Sequence, residues 1–482
     1  MIHNKFMGII LAIDSGTTST RVIAFDSNFK IQHIEQAELP LMHPQPEWVE
    51  QDPNTIWQRT KHCLDETIKT VGTHNIKAIG ITNQRETSLA WQKSTHEALG
   101  PAINWQCRRT ANRCKELDSH AASIKQKTGL PLDAYFSATK FEWHIQHTAT
   151  VNDLIKQNDL CFGTVDAWLL WNLTNGGSFK TDVTNASRTM LFNINNLEYD
   201  AQLCDLFGIP IAALPKVQDS IAHFGDYIVD DVRIPIQSMI GDQQAALYAQ
   251  CGQNQGQIKN TYGTGLFMMA NTGSSIVQTN DLISTIAIGI NGKVNYAIEG
   301  SVFTGGALIQ WLRDSLGLIE SAADTQSLAE SVTGNAGVTI IPALTGLGAP
   351  HWNPDAKGMI LGLTRQTTKA HIARAALEAI ALQSNDIIEL IRNECPNIEF
   401  NTLLVDGGAS ANDWLMQCQA DVSQLTVSRP PSVEATALGA ALCAAKHTNH
   451  WSNLSQADGQ RFHPKSNQDT IQSQWVIALN KI

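Results

Sequence analysis

The first eighty residues alternate between apolar runs and short polar turns. GIILAID, RVIAFD and KIQHIEQAELPL follow one another closely, which predicts three consecutive strands that form a meander. The segment DPNTIWQRTKHCLDETIKTVG opens with Asp52 as a possible N-cap and Pro53 as a first helical residue, and it closes near Gly72, which predicts a helix. The apolar run IKAIGIT predicts a further strand. Three strands, a helix and a strand indicate an α/β layer domain.

The second half of the chain repeats this order. IKNTYGTGLFMMANTG places a turn between two strand-like runs, as LAIDSGTTSTRVIAFD does near the N-terminus. TLLVDGGASANDWLMQCQADVS predicts a strand, a glycine-rich turn and a helix, and VEATALGAALCAAKH predicts a small-residue helix that can pack closely. A duplicated α/β unit is the simplest interpretation, and chance similarity of two hairpins is the alternative. We place the boundary near residues 247–256, which gives domains at 1–248 and 249–482.

Length and charge restrict the class of protein. A chain of 482 residues is too long for one ordinary core, so two or three domains with a cleft are expected. The net charge is -11 and there is no long basic run, which argues against a nucleic-acid partner. ATP remains compatible with this charge because it needs only a few local donors and a metal ion.

Cysteine usage and hydropathy indicate a cytoplasmic protein. The nine cysteines are scattered and form no C-x-x-C pair, which is typical of reduced thiols. The N-terminal apolar run stops at Asp14 without a small-residue cleavage pattern, so we expect a buried strand rather than a signal peptide. No stretch approaches the roughly twenty apolar residues of a membrane span.

The first turn, DSGTTSTR, has the composition of a phosphate-binding loop. Its backbone N–H groups can form an anion-binding nest, and Thr17, Thr18 and Ser19 add hydroxyl donors. Arg21 supplies a planar cationic fork for a phosphate, and Asp14 is placed to hold Mg²⁺ through water. An ordinary hairpin turn is the alternative, because the same residue types favour turns.

Two further turns strengthen the nucleotide interpretation. TYGTG contains Thr264, and VDGGASAND contains Gly407 and Gly408, with Asn412 at the start of the next helix. Neither turn has the G-x-G-x-x-G spacing of a dinucleotide site, and the chain has no Walker A sequence. Nucleotide binding therefore requires another fold.

The three turns, in this order, resemble those of the superfamily that contains sugar kinases, Hsp70 and actin. The segments GITNQRET, NWQCRRTA, AYFSATK, FGTVDAWLLW, TDVTNASRTMLFNI, GDQQAAL, NTYGTG and TGLGAPHWNP are similar to those of FGGY carbohydrate kinases that act on glycerol. The resemblance implies an α/β fold of two ribonuclease H-like domains around an interdomain cleft. It also implies ATP-dependent phosphorylation of glycerol to sn-glycerol 3-phosphate. We expect a homo-oligomer, either a dimer or a tetramer.

The resemblance also implies a set of site residues. Asp242 faces the hydroxyl to be phosphorylated and acts as the base, for which an ordinary aspartate pKa suffices. The residues that correspond to glycerol contacts are Arg85, Glu86, Trp105, Tyr135, Asp242, Gln243 and Phe267. The residues that correspond to ATP contacts are Thr17, Thr18, Ser19, Arg21, Thr264, Gly306, Gln310, Gly408 and Asn412, and Asp14 corresponds to the Mg²⁺ site.

Each assignment has a plainer alternative. Arg85 and Glu86 could form a solvated ion pair, Trp105 and Tyr135 could be core aromatics, and Asp242 could only cap a helix. The whole chain could be an FGGY kinase for another polyol or ketose such as xylulose, or an ATP-binding module like Hsp70 or actin. The pocket residues favour glycerol over both.

The sequence departs from the family pattern at several places. Ser15, His351, Asn353 and Lys357 replace the usual residues, so none of them is assigned to the site. Residues 226–236 carry Asp230 and Asp231 where homologues regulated by fructose 1,6-bisphosphate have a glycine- and lysine-rich loop, and only Arg233 is retained. We expect inhibition by that sugar to be weak or absent.

Overall fold

The chain divides into two compact units. The computed structural model describes residues 8–351, 353, 355–430, 434–446, 448 and 459–482, so the first seven residues of the N-terminal segment lie outside it. The first unit contains the described residues of Met1–Gly252, Ser284–Tyr296 and Glu434–Ser455. The second contains those of Gln253–Ile283, Ala297–Val433 and Gln456–Ile482. The domain bounds at 1–248 and 249–482 stay a prediction.

The strands of residues 9–252 are β1 (Ile9–Ser15), β2 (Ser19–Phe25), β3 (Ile31–Glu38), β4 (Glu50–Gln51), β5 (Ile76–Asn83), β6 (Ser88–Gln92), β7 (Ala102–Ile103), β8 (Leu160–Thr164), β9 (Lys180–Asp182), β10 (Phe192–Asn193), β11 (Glu198–Tyr199), β12 (Lys216–Gln218), β13 (Ile221–Val229) and β14 (Val232–Gly241). The α-helices of this part are α1 (Pro53–Val71), α2 (Ala111–Glu116), α3 (Ala121–Thr128), α4 (Ala138–His147), α5 (Val151–Lys156), α6 (Val165–Leu173), α7 (Val183–Ala186), α8 (Ala201–Leu206) and α9 (Asp242–Cys251).

The strands of the remaining described residues are β15 (Ile258–Tyr262), β16 (Leu266–Gly273), β17 (Ile283–Ile290), β18 (Lys293–Val302), β19 (Thr339–Ile341), β20 (Met359–Leu361), β21 (Thr402–Asp406), β22 (Thr426–Arg429) and β23 (Gln460–Phe462). The α-helices are α10 (Gly306–Asp314), α11 (Asp324–Glu330), α12 (Lys369–Glu394), α13 (Asp413–Ser423), α14 (Ala435–Ala445) and α15 (Asp469–Leu479).

The central sheet of the first unit has the order β13-β14-β5-β1-β2-β3. β1, β2 and β3 pair antiparallel, which confirms the predicted meander. β5 runs parallel to β1, and β14 runs parallel to β5. The carboxyl ends of β1, β5 and β14 therefore meet at one edge of the sheet.

The apolar run of β1 is explained by burial on both faces of the sheet. Ile9, Leu11 and Ile13 pack into a core with residues of α1 and α6. Ile10 and Ala12, which point the other way, pack into a core with α9 and α14. A strand buried on both faces has a continuous rather than an alternating apolar sequence.

Helix α1 begins and ends where its sequence predicts. The Asp52 side chain accepts hydrogen bonds from two backbone N–H groups of the first turn, and Pro53 is the first helical residue. Gly72 ends the helix with φ 83°, a conformation that glycine adopts at little cost.

The central sheet of the second unit repeats the pairing of the first. Its order is β17-β18-β16-β15-β21-β22-β23. β15 and β16 form an antiparallel pair, β21 lies parallel to β15, β22 lies parallel to β21, and β23 is antiparallel to β22. The same arrangement relates β1, β2, β5, β14 and β13, so the predicted duplication of an α/β unit is confirmed.

The segment at 226–236 forms the tip of a β-hairpin. β13 and β14 pair antiparallel up to Val229 and Val232, and Asp230 and Asp231 form the turn with φ 49° and 58°. Arg233 is bound to Asp226 at 3.1 Å. The tip therefore presents two carboxylates while the nearby guanidinium is already paired.

We expect fructose 1,6-bisphosphate to inhibit turnover weakly or not at all, because the carboxylates of Asp230 and Asp231 repel its phosphates. The measurement is the initial rate at fixed glycerol and ATP over a titration of the sugar. A saturating inhibition curve contradicts the expectation.

All nine cysteines are unpaired and buried, as their scattered spacing predicts. In the described part of the chain, no helix is both long enough and apolar enough to cross a bilayer.

Candidate active site

Three predicted site segments of the first unit lie at the same sheet edge. Asn83, the last residue of β5, pairs with Ser15 of β1 on one side and with Gly241 of β14 on the other. The DSGTTSTR turn begins at the end of β1, the Gln84–Glu86 segment follows β5, and Asp242 follows β14. In open α/β sheets, ligands bind outside the carboxyl ends of the strands.

Arg85 and Glu86 are buried, with relative exposures of 3% and 1%. The Nε atom of Arg85 lies 3.3 Å from Asp242 Oδ1 and 3.9 Å from Glu86 Oε1. Arg85 also donates to Gln244 Oε1 at 3.2 Å. The alternative interpretation of a solvated ion pair is therefore wrong.

Asp242 is the first residue of α9, and Gly241 is the N-cap, so Asp242 does not act as the cap. Gly241 is held in place because its N–H donates to Thr184 Oγ1 at 2.9 Å. A Cβ at Gly241 would lie 2.9 Å from Arg85 Cδ, which shows how closely the arginine stem crosses this glycine.

Burial and two neighbouring charges determine the electrostatic environment of Asp242. Its side chain is 28% exposed and accepts from the Gln243 N–H at 2.7 Å. Burial raises the pKa of Asp242 to about 6, while the charge of Arg85 lowers it and the charge of Glu86 raises it. The proposed role needs only an ordinary aspartate pKa, and a pKa raised towards neutral pH is compatible with it as well.

Trp105 and Tyr135 are partly exposed, so their interpretation as core aromatics is wrong. Their rings meet edge to face, with centroids 5.6 Å apart. Trp105 Nε1 donates to Thr17 Oγ1 at 2.9 Å, which joins the aromatic pair to the first turn. Gln243, which follows Asp242, is also partly exposed.

The DSGTTSTR turn is closed by a hydrogen bond from Gly16 N–H to Ser19 O at 2.9 Å. Thr18 is exposed, and Thr17 and Ser19 are half-buried. The turn therefore leaves hydroxyl groups accessible, as a phosphate-binding role requires.

Arg21 has carboxylate partners in this structure. Its terminal nitrogens lie 2.6 Å from Asp14 Oδ2 and 2.6 Å from Glu434 Oε2. The pKa of Asp14 is raised because burial outweighs the opposing charge of Arg21. A phosphate would have to compete with two carboxylates, so phosphate binding by Arg21 stays a prediction.

In the second unit, the TYGTG turn lies against the start of α10. The N–H groups of Gly305 and Ala307 donate to Thr264 O at 2.8 and 3.1 Å, and Gly306 N–H donates to Gly263 O. A Cβ at Gly306 would lie 2.8 Å from Gly263 O. Thr264 in the turn is exposed, and Gln310 on α10 is exposed as well.

The VDGG turn is adjacent to this arrangement because β21 pairs with β15. A Cβ at Gly407 would lie 2.6 Å from Tyr262 O. Gly408 is exposed, and a Cβ added there would have no atom within 4 Å. Asn412 caps α13 by accepting from Leu415 N–H at 2.9 Å, as predicted. Phe267 is half-buried on β16.

Three of the departures from the family pattern lie in the second unit. His351 Nε2 lies 3.3 Å from Asp386 Oδ2, Asn353 accepts from the backbone of a turn, and Lys357 is exposed. Ser15 is the buried last residue of β1 in the first unit.

Sequence reasoning missed the buried residues that support the first-unit site. Arg188, Lys140 and Glu434 contact site residues directly, and Thr184 accepts from Gly241, the residue before Asp242. Arg188 and Thr184 belong to the quoted motif TDVTNASRTMLFNI, so the motif itself was the available signal. Among the described residues, no three His, Cys, Asp or Glu side chains form a group that could hold a metal ion.

Comparison with known proteins identifies the family. The model of the N-terminal domain of the FGGY family of carbohydrate kinases matches residues 9–249, and the model of the C-terminal domain matches residues 258–447. Glycerol kinase from Aquifex aeolicus is 49% identical over 92% of this chain and 91% of its own length. Glycerol kinase from Fusobacterium nucleatum is 45% identical over 98% of this chain and 99% of its own length.

Solved structures agree with this assignment. The crystal structure of Plasmodium falciparum glycerol kinase with ADP has a TM-score of 0.93 and 34% identity, and each chain is covered to 98%. Xylulose kinase from Lactobacillus acidophilus has a TM-score of 0.86 at 20% identity, with 98% of each chain covered, which shows a shared fold alone. The predicted two-domain α/β fold is confirmed, and the chain belongs to the FGGY family of carbohydrate kinases.

Proposed function

We propose that this chain transfers the γ-phosphoryl group of ATP to a terminal hydroxyl of glycerol and releases sn-glycerol 3-phosphate and ADP. One observation carries the proposal most directly. Asp242, Arg85 and Glu86 converge at the ends of two parallel strands, in a chain 49% identical to a glycerol kinase. An aspartate beside a buried arginine and glutamate suits a small polyol, which offers both donors and acceptors.

In the proposed mechanism, Arg85 and Glu86 bind adjacent hydroxyls of glycerol while Trp105 and Tyr135 contact its carbon backbone. Asp242 accepts the proton of the terminal hydroxyl as its oxygen forms a bond to the γ-phosphorus. The bond from the γ-phosphorus to the β,γ-bridging oxygen breaks, and its electrons leave with ADP. Phosphoryl transfer depends mainly on positioning and charge stabilisation, so a late proton transfer to a carboxylate is sufficient.

The donor set fits Mg²⁺ as the metal. Asp14 is a carboxylate at the carboxyl end of β1, and Mg²⁺ is commonly held by one or two carboxylates with water and substrate phosphates. Asp14 would hold it. The ion would supply charge neutralisation for the transferring phosphoryl group.

The proposed residues for ATP keep their assignment. Thr17, Thr18 and Ser19 would donate hydroxyl and backbone hydrogen bonds to phosphates in the first unit, and the guanidinium of Arg21 is the proposed cationic contact. The second-unit residues proposed for the nucleotide are Thr264, Gly306, Gln310, Gly408 and Asn412, and the further proposed polyol contacts are Gln243 and Phe267.

A cytoplasmic location is supported by the nine unpaired cysteines. A homo-oligomer stays a prediction that light scattering can measure.

The test is a substrate comparison with glycerol, xylulose and dihydroxyacetone, each with ATP and Mg²⁺. ADP formation gives the rate, and mass spectrometry identifies the phosphorylated product. We expect kcat/KM for glycerol to exceed that for xylulose by about 100-fold or more, because unpaired buried polar groups penalise a mismatched substrate. Preference for xylulose, or ATP hydrolysis that no acceptor stimulates, would overturn the proposal.

The pH dependence of kcat/KM should follow the carboxyl of Asp242. A general base is active only when deprotonated, so activity is present above its pKa and is lost as the pH falls through it. Because the pKa of Asp242 is raised to about 6, we expect an acid limb near pH 6 and a plateau above it. A limb at about pH 4, in the ordinary aspartate range, would contradict the assignment.

A further inference from the structure

Arg188 is a buried cation that the proposed mechanism does not use. Its side chain is fully buried, and its Nε atom lies 2.5 Å from Glu86 Oε1. The guanidinium carbon also lies 5.7 Å from the Tyr135 ring centre and 5.3 Å from that of Phe136. One side chain therefore contacts two of the residues proposed to bind the polyol.

Glu86 depends on this cation more than on its sequence neighbour. Arg85 Nε is 3.9 Å from the Glu86 carboxylate but 3.3 Å from Asp242. A carboxylate that is buried away from water needs both a counter-charge and hydrogen bonds. The shortest ion pair of Glu86 is with Arg188, so Arg188 is its principal counter-ion.

The backbone of Glu86 is held by a second buried cation. Lys140, fully buried on α4, donates through Nζ to Tyr135 O at 2.7 Å and to Glu86 O at 3.3 Å. The hydroxyls of Ser137 and Ser88 also donate to Glu86 O, at 3.1 and 2.9 Å.

This support coincides with an uncommon backbone conformation. Glu86 has φ 60°, which a non-glycine residue adopts only when its surroundings impose it. Burial lowers the pKa of Lys140 to about 8, although the charge of Glu86 raises it. The ammonium group is therefore still mainly charged at pH 7.

We propose that Arg188 and Lys140 form a buried cation brace that positions Glu86 and Tyr135 for polyol binding. Arg188 fixes the carboxylate of Glu86 and lies beside the Tyr135 ring, and Lys140 ties the two backbones together. Both are positioning residues, because the groups that touch the polyol are Glu86 and Tyr135. The inference rests on the proposed function of this pocket.

The proposal predicts which kinetic parameter changes. The contacts of the brace converge on Glu86 and Tyr135, which are proposed to bind the polyol rather than ATP. We expect Arg188→Gln to raise the KM for glycerol by about 100-fold, with kcat reduced by less than about fivefold, because uniform polyol binding is lost. Arg188→Lys, which keeps the charge but not the planar fork, should recover part of the loss.

A double-mutant cycle with Glu86→Gln tests whether Arg188 acts through Glu86. In the Glu86→Gln background, adding Arg188→Gln should change the KM for glycerol by no more than about threefold. This double variant removes both members of the Glu86–Arg188 ion pair, so it keeps the comparison available if Arg188→Gln alone does not fold. Independent, multiplicative effects of the two substitutions would overturn the proposal, as would a wild-type KM in folded Arg188→Gln.

Arg109→Gln is the matched control. Arg109 has a fully buried side chain, is bound to Glu50 at 2.6 Å, and lies over the Trp48 ring at 3.9 Å. Its replacement should lower the melting temperature but leave the KM for glycerol unchanged. An equal rise in KM there would mean that loss of any buried arginine loosens the unit, which contradicts a specific brace.

Turnover of the wild-type enzyme shows whether a negative result bears on the brace or on the proposed substrate. Wild-type turnover with glycerol, xylulose and dihydroxyacetone identifies the polyol first, and the cycle is then run with the polyol that is phosphorylated. ADP binding, measured as a rise in melting temperature, reports whether each variant keeps a native nucleotide site. If glycerol is not the substrate but the cycle shows coupling, the brace stands and only the substrate assignment fails.

Discussion

Asp242→Asn is expected to lower kcat with glycerol and ATP by about 10³-fold, because asparagine has nearly the same shape but cannot accept the proton. The KM for glycerol should change less, since Arg85 and Glu86 remain to bind the polyol. The measurement is steady-state turnover at saturating ATP over a glycerol titration.

Asp166→Asn is the matched control for this substitution. Asp166 is a fully buried carboxylate of the same unit, and burial raises its pKa to about 6, as for Asp242. It accepts hydrogen bonds from Thr181 Oγ1 at 2.6 Å and from Thr164 Oγ1, and neither threonine is a proposed site residue. We expect Asp166→Asn to lower the stability of the protein and to leave kcat at the wild-type value. A near-normal kcat in Asp242→Asn would show that Asp242 is not the base.

The strand ends were the part of the site that the sequence predicted well. The apolar runs of β1 and β5 end in DSGTTSTR and QRET, and the structure places Asn83 of β5 between Ser15 of β1 and Gly241 of β14. Periodicity and turn residues are local signals, so they identify elements and their ends. The fold follows from their repeated order.

The contacts that tune the site could not be predicted in the same way. Arg188 lies 102 positions from Glu86 in the chain, and Glu434 lies 413 positions from Arg21. No periodic pattern encodes such pairings, which depend on how helices and turns pack in three dimensions. The raised pKa of Asp242 has the same origin, because burial and the charge of Glu86 raise it against the opposing charge of Arg85.

The small residues of α14 predicted that this helix packs closely, but they did not predict which unit it belongs to. Its sequence predicted close packing, yet the linear domain bounds assigned it to the C-terminal half. In the structure it belongs to the first unit and packs on α9, the helix that begins at Asp242. The chain therefore returns to complete the core beneath the proposed base.

Gly439→Ala is expected to destabilise the protein, although alanine favours a helix more than glycine does. The added Cβ would lie 1.9 Å from Ala245 O of α9, and this backbone atom cannot move without moving the helix. Helix propensity contributes about 1 kcal/mol in favour of alanine, whereas overpacking of a tight core costs about 1–3 kcal/mol or more. With so short a distance we expect the clash to dominate, and a net loss of at least about 2 kcal/mol.

The same substitution should reduce activity, because displacement of α9 moves Asp242 at its first turn. Thermal unfolding and kcat are measured for Gly439→Ala beside Gly334→Ala, where an added Cβ would have nothing within 4 Å. We expect the control to keep both its melting temperature and its kcat. If Gly439→Ala were as stable as the wild type and equally active, α14 would not constrain α9, and the site would have to be held by its buried polar contacts alone.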